Sequence, residues 1–273
     1  PGAWLAPIES QILAALGKHE TLTTTELAAA VPELGTQVRA GSGRWAHTVP
    51  LSSRLLSLMA MDGALVRGRP AGTWRSSQYA WTSHQAWFDG TLENPDPERS
   101  RARIVTRYLE RYGPATLDDI AWWTGWGKRV ASAALAAAGA VEVGLESDAV
   151  ALALPEDLET RPEQADESVA LLPALDPTPM GWKERSWYLG DEARTALFDR
   201  NGNVGPTVWV DGWIVGGWAT DEAGVVRTDV LVKISSSARK QVDANAEQLT
   251  EWLAGTPVTP RFRTPLERQL SSS

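Results

Sequence analysis

The 273-residue chain contains no cysteine. Disulfides, thiolate-held zinc, iron–sulfur clusters and thiol catalysis are therefore excluded. Histidine is almost as scarce: His19, His47 and His84 are scattered, without metal-ligand spacing. No Gly-rich phosphate loop with Lys-Ser/Thr and no dinucleotide fingerprint occurs. No cofactor or metal is expected. No apolar run approaches the ~18 residues of a membrane span. The opening "PGAWLAPIESQ" has neither a basic n-region nor an apolar h-region. A cytoplasmic protein is the expectation. The chain also starts without methionine, as a processed, trimmed or excised chain would.

Tryptophan, by contrast, is abundant, with fourteen residues. Three fall within "WVDGWIVGGW", around an Asp-Gly turn of type I′ character. A two-residue turn pairs Val210 with Trp213, Trp209 with Ile214 and Val208 with Val215. Both faces of this hairpin are then apolar, so both should be covered by protein. Neither carries a cation, whereas a base-stacking platform couples aromatics to basic residues. These tryptophans read as core. Trp122 and Trp123 in "AWWTGW" lie beside Asp118 and Asp119 and read as packing under a helix turn. Trp45 and Trp74 differ, because they adjoin Arg44 and Arg75 in Gly- and Ser-rich loops. There, DNA contact and the pinning of a loop to the core both stay open.

The net charge of −8 argues against indiscriminate nucleic-acid binding, but it is unevenly spread. Residues 1–90 carry +1, residues 91–165 carry −5 and residues 166–273 carry −4. The same division follows from the patterning. Residues 1–90 read as three helices and a hairpin. Ile8, Ile12, Leu13 and Leu16 mark the first helix, Thr23 and Glu26 a capping box, and Leu55, Leu56, Leu58, Met59 and Met61 the third helix. Two β-prone arms then flank a Pro-Ala-Gly turn. This is the winged-helix plan, with an extra loop, "ELGTQVRAGSGRWAHTVP", before the third helix. Residues 91–155 repeat it, with Thr116 starting the second helix and an acidic hairpin of Glu142, Glu146 and Asp148. Residues 166–273 read as several strands, a small β-barrel-like domain, and a closing helix. The expected fold is thus α+β: tandem winged helices, a barrel-like domain and a C-terminal helix.

In a winged helix, the third helix enters a groove and the wing meets the backbone. Arg54 belongs to the third helix, and Arg67, Arg69 and Arg75 to the wing. With Arg44, Trp45 and Trp74 they form the candidate DNA-binding set. Double-stranded DNA is the expected partner of a monomer.

Two stretches, "LLPALDPTPMGWKERSWYLG" and "FDRNGNVGPTVWVDGWIVGGW", resemble the bacterial AlkZ/YcaQ-type winged-helix DNA-binding family. So does "GSGRWAHTVPLSSRLLSLMAMDGALVRGRPAGTWRSSQYAW". The resemblance implies a DNA glycosylase acting on bulky alkylated bases and interstrand crosslinks. It also implies a DNA channel, which Asp176, Lys183, Arg185, Arg200 and Asn201 could line. Those residues could equally be ion pairs that fix long loops. Family members begin one winged-helix unit earlier and carry their Gln-x-Gln or Gln-x-Asp catalytic motif there. The matches inside this chain, Gln164–Asp166 and Gln241–Asp243, read as chance, so no catalytic residue is expected and the chain alone should be inactive. A non-enzymatic DNA-binding regulator and a protein–protein module are the competing readings.

Overall fold

The computed structural model describes residues 2–43, 46–70, 72–73, 76, 78–88, 96–146, 148–159 and 167–272. The chain forms two compact units, Pro1–Pro95 and Asp96–Ser273. The second holds both later segments recognised in the sequence.

In the first unit, α1 (Gly2–Lys18) buries Ile8, Ile12 and Leu16, four residues apart on one face. Leu13, expected on that face, is 39% exposed. Strand β1 (Leu22–Thr23) leads into α2 (Thr24–Ala30). The capping box forms as the sequence indicates: Thr23 N–H and hydroxyl donate to Glu26 Oε2 at 2.7 and 2.8 Å. After a 3-10 turn the expected extra loop is a hairpin, β2 (Gln37–Ala40) against β3 (His47–Pro50). Helix α3 (Ser52–Met61) buries Leu55, Leu56 and Met59 and leaves Leu58 and Met61 outside. Strands β4 (Leu65–Pro70) and β5 (Tyr79–Ser83) pair antiparallel, β1 adds to β5, and α4 (His84–Phe88) follows. Trp81 on β5 is buried and donates its indole N–H to Thr24 Oγ1 at 2.9 Å, which ties sheet to helix.

The second unit begins with α5 (Pro97–Tyr112), capped by Asp96. An isolated Ala115–Leu152 bridge precedes α6 (Leu117–Thr124). Helix α7 (Lys128–Ala137) and the hairpin β6 (Val141–Gly144) and β7 (Val150–Ala153) complete this part. The remainder is β8 (Val169–Leu172), α8 (Asp191–Leu197), β9 (Thr207–Val210), β10 (Trp213–Thr220), β11 (Val226–Val230), α9 (Ser236–Leu253) and α10 (Pro265–Ser271).

The expected barrel-like closure is corrected to an open, four-stranded antiparallel sheet, ordered β8-β9-β10-β11. Helices on both faces replace closure. Ala238, Val242 and Ala246 of α9 meet Val208, Val215 and Trp218. Leu197 of α8 and Leu266 and Leu270 of α10 meet Trp209 and Ile214. Neither α8 nor α10 was expected. Asp211 and Gly212 both take positive φ, 49° and 81°, as a type I′ turn requires. The pairing departs from the simple register at a bulge, which sets Gly216 rather than Val215 opposite Val208. A Cβ on Gly216 would lie 2.0 Å from the carbonyl oxygen of Asp229, so only glycine fits there. Trp209 and Trp218 are buried, but Trp213, at the turn end, is half-exposed.

Candidate nucleic-acid interface

Two surfaces in different units combine cations with accessible aromatic or backbone groups. In the first unit, burial of Leu55, Leu56 and Met59 turns the opposite side of α3 outward, and Arg54 lies on it, exposed. Alternation along β4 exposes both Arg67 and Arg69. The Arg67 guanidinium sits 3.7 Å from the centre of the Tyr79 ring. A planar guanidinium stacked this way keeps its in-plane N–H groups for a partner. None of these three arginines forms an ion pair with a described residue. Arg44, Trp45, Trp74 and Arg75 lie outside the described residues.

In the second unit, the motif around residue 182 docks on α5 and α6. Asp119 is 4% exposed, and its two oxygens accept from two different segments. Oδ2 takes the Thr116 N–H at 2.9 Å and the Thr116 hydroxyl at 2.6 Å. Oδ1 takes Lys183 N–H at 2.8 Å and Glu184 N–H at 3.3 Å. Tyr108 donates its hydroxyl to the Gly181 carbonyl at 2.7 Å, and the Trp182 indole donates to the Tyr112 carbonyl at 2.9 Å. Burial pushes the Tyr108 hydroxyl well above its ordinary range and that of Tyr188 to about 12, so both stay protonated donors.

The five possible channel residues now separate. Asp176 closes its own turn by accepting from Thr178 N–H. Asn201 donates its backbone N–H to Asp199, whose carboxyl is held below the ordinary range mainly by Asn203. Lys183 pairs with Asp118 at 3.4 Å, and Lys128 pairs with the same carboxylate at 2.6 Å. Arg200 is exposed. Arg185 stands apart. It is partly buried, and desolvation lowers its pKa, yet it pairs with no described carboxylate. Its Nε donates to the Trp182 carbonyl at 3.1 Å. Its guanidinium carbon lies 5.3 Å from the Trp122 ring centre and 5.0 Å from that of Phe198.

Trp122 and Trp123 are 42% and 44% exposed, which corrects the expectation that they pack under the helix turn. Trp123 rests its ring against Tyr108, 5.1 Å centre to centre. Sequence reasoning missed the Trp122–Arg185 pairing, which joins residues far apart in the chain. A cavity of about 500 Å3 lined in part by the exposed Trp213 is a poorer place for phosphate, since Glu167, Asp191, Glu192 and Asp211 outnumber Lys233 in its lining.

The sequence model for the family described as DNA glycosylase AlkZ-like matches residues 1–252. The chain belongs to the AlkZ-like DNA glycosylase family. The DNA glycosylase AlkZ of Streptomyces sahachiroi has a similar solved structure, with a TM-score of 0.68 at 20% identity. That likeness covers 90% of this chain and 67% of the other, and at such identity it establishes the fold. No curated protein matches the sequence. Of the two Gln-x-Asp matches in this AlkZ-like chain, Gln164–Asp166 lies outside the described residues. Gln241 and Asp243 are exposed on α9, on either side of the buried Val242. Among the described residues, no helix is long and apolar enough to cross a membrane, and no His/Asp/Glu group could hold a metal.

Proposed function

We propose that this AlkZ-like chain grips duplex DNA through Arg54, Arg67 and Arg69, within a glycosylase that acts on alkylated or crosslinked bases. The observation that carries the reading is a set of three exposed arginines on α3 and β4 without a described carboxylate partner. Three helices followed by the β4–β5 hairpin fit the winged-helix plan, which favours a groove for α3 and the phosphate backbone for β4. Arg44, Trp45, Trp74 and Arg75 extend the same set. The β6–β7 hairpin carries Glu142 and Glu146 and would repel phosphate, so residues 97–153 serve as a structural repeat of the plan.

The reading assigns no catalytic residue to this chain. Hydrolytic base excision needs a group that orients or deprotonates water at the anomeric carbon. Gln241 and Asp243 face solvent on a regular helix, which does not favour that task. The chain is therefore expected to bind duplex without excising a base. Fluorescence anisotropy with random duplex at stepped salt concentrations tests the grip. Replacing both Arg67 and Arg69 by Ala should weaken binding uniformly across sequences and lower the salt slope by about 2. An unchanged slope, or no duplex binding by the parent chain, sinks the reading. Release of an alkylated base by the chain alone would overturn the inactive assignment.

A further inference from the structure

We infer that Arg185 and Trp122 form a seat for one unpaired nucleotide of a DNA strand, with phosphate on the guanidinium and the base stacked on the indole. The inference rests on the DNA-binding reading above but involves a different surface.

Arg185 carries the argument. A partly buried cation without a counter-charge is unfavourable, because it loses hydration and gains no partner. Here the guanidinium lies near the rings of both Trp122 and Phe198, and its Nε donates to the Trp182 carbonyl. Its Nη groups have no protein acceptor among the described residues. Arg194 adds like charge nearby and helps depress the Arg185 pKa. The side chain is thus pre-oriented while no described carboxylate neutralises its charge, an arrangement that an incoming phosphate would complete.

Trp122 supplies the second, independent observation. It is a large apolar side chain left 42% exposed on a short helix, beside that cation. An exposed indole next to an arginine is the pairing by which proteins hold unpaired bases, since every base offers a π-face. A base within a continuous duplex is already stacked and has no face to offer. The seat therefore discriminates an unpaired nucleotide from an intact duplex. An acidic peptide could satisfy Arg185 as well, but it would gain little from the indole.

The full chain should be titrated with a short DNA duplex and with the same duplex carrying a single-nucleotide bulge. The bulged probe is expected to bind more tightly. Trp122→Ala should reduce that preference about tenfold, as the loss of one base-stacking contact does. Plain-duplex affinity should not change. Trp122→Phe should retain most of the preference, and Arg185→Gln should lose it while Arg185→Lys keeps a part. Should Arg185→Gln fail to fold, Trp122→Ala decides, because the indole is accessible. Binding of both probes without preference overturns the seat alone, as does a preference that survives Trp122→Ala. A chain that binds neither probe overturns the seat and the DNA-binding reading together. Displacement of the bulged probe by polyglutamate but not by single-stranded DNA would assign the surface to an acidic peptide and overturn the proposal.

Discussion

Residues 2–83 and 97–153 are built to one plan with different consequences. Each has a first helix, a short edge pairing, a capped second helix, a third helix and a hairpin. Even the caps correspond: Thr23 with Glu26 on α2, and Thr116 with Asp119 on α6. Glu26 closes its box at the surface. Asp119, one methylene shorter and buried, closes its box with one oxygen and holds the Lys183 and Glu184 backbone with the other. The hairpins differ in the same sense. β4 turns Arg67 and Arg69 to solvent, whereas β6 presents Glu142. One copy leaves the cations of its hairpin exposed, and the other commits the acid of its cap to a neighbouring segment of its own chain.

The largest expected effect comes from breaking that commitment. Asp119→Ala removes a cap and leaves the part-buried backbone donors of Thr116, Lys183 and Glu184 without their acceptor, a loss of about 2 kcal/mol. Urea unfolding should register it in the second unit, with a much smaller loss for Glu26→Ala in the first. Equal losses would show that the two boxes do the same job. Gly181→Ala comes next. Its Cβ would lie 2.5 Å from the Tyr112 ring, which must move and strain the Tyr108–Gly181 bond. Overpacking of this kind destabilises by about 2 kcal/mol. Gly17→Ala, on α1 of the first unit, meets nothing within 4 Å and should stabilise by about 0.5 kcal/mol. Thermal melts that move both variants in the same direction would contradict the contrast. A smaller test uses charge. Glu142→Ala should leave duplex affinity unchanged, because β6 offers no grip, and an increase matching the loss from Arg67→Ala would put both hairpins on DNA.

Local chemistry was the legible part of this sequence. The capping box at Thr23 and the Asp-Gly turn depend on neighbours within a few residues, and they form as read, whereas of the apolar residues that mark α3 only Leu55, Leu56 and Met59 are buried. The missed features depend on distant partners. Strand counting cannot distinguish a barrel from a covered sheet. The choice is made by α8 and α10, whose short apolar patterns are weak until they meet Trp209 and Ile214. Trp122 and Trp123 read as core because tryptophan usually is, and nothing in "AWWTGW" reveals that Arg185 will lie beside one of them. The β2–β3 hairpin read as a loop because its strands are short and polar, with partial burial only at Val38, Ala40 and Val49. Of the candidate site, the placement of Arg54 on the third helix and of Arg67 and Arg69 on the hairpin after it was legible from the order of elements. That Arg185 has no carboxylate partner among the described residues was not.

The smallest effect, and the sharpest test of the two caps, is their response to pH. The Thr23 backbone N–H, and then its hydroxyl, hold the Glu26 carboxyl below the ordinary glutamate range. A depressed folded-state pKa stabilises the fold above the unfolded-state value, about 4.3. That contribution is lost as pH falls through the lower, folded value. Glu26→Gln cannot titrate, so the stability difference between parent and variant should be constant near neutrality and shrink below about pH 4.3. Urea midpoints of the two proteins across this range measure it directly. A difference that stays constant into acid would mean that Glu26 acts through its shape and neutral hydrogen bonds alone. The cap of the first unit would then be held, like its neighbours, without help from charge.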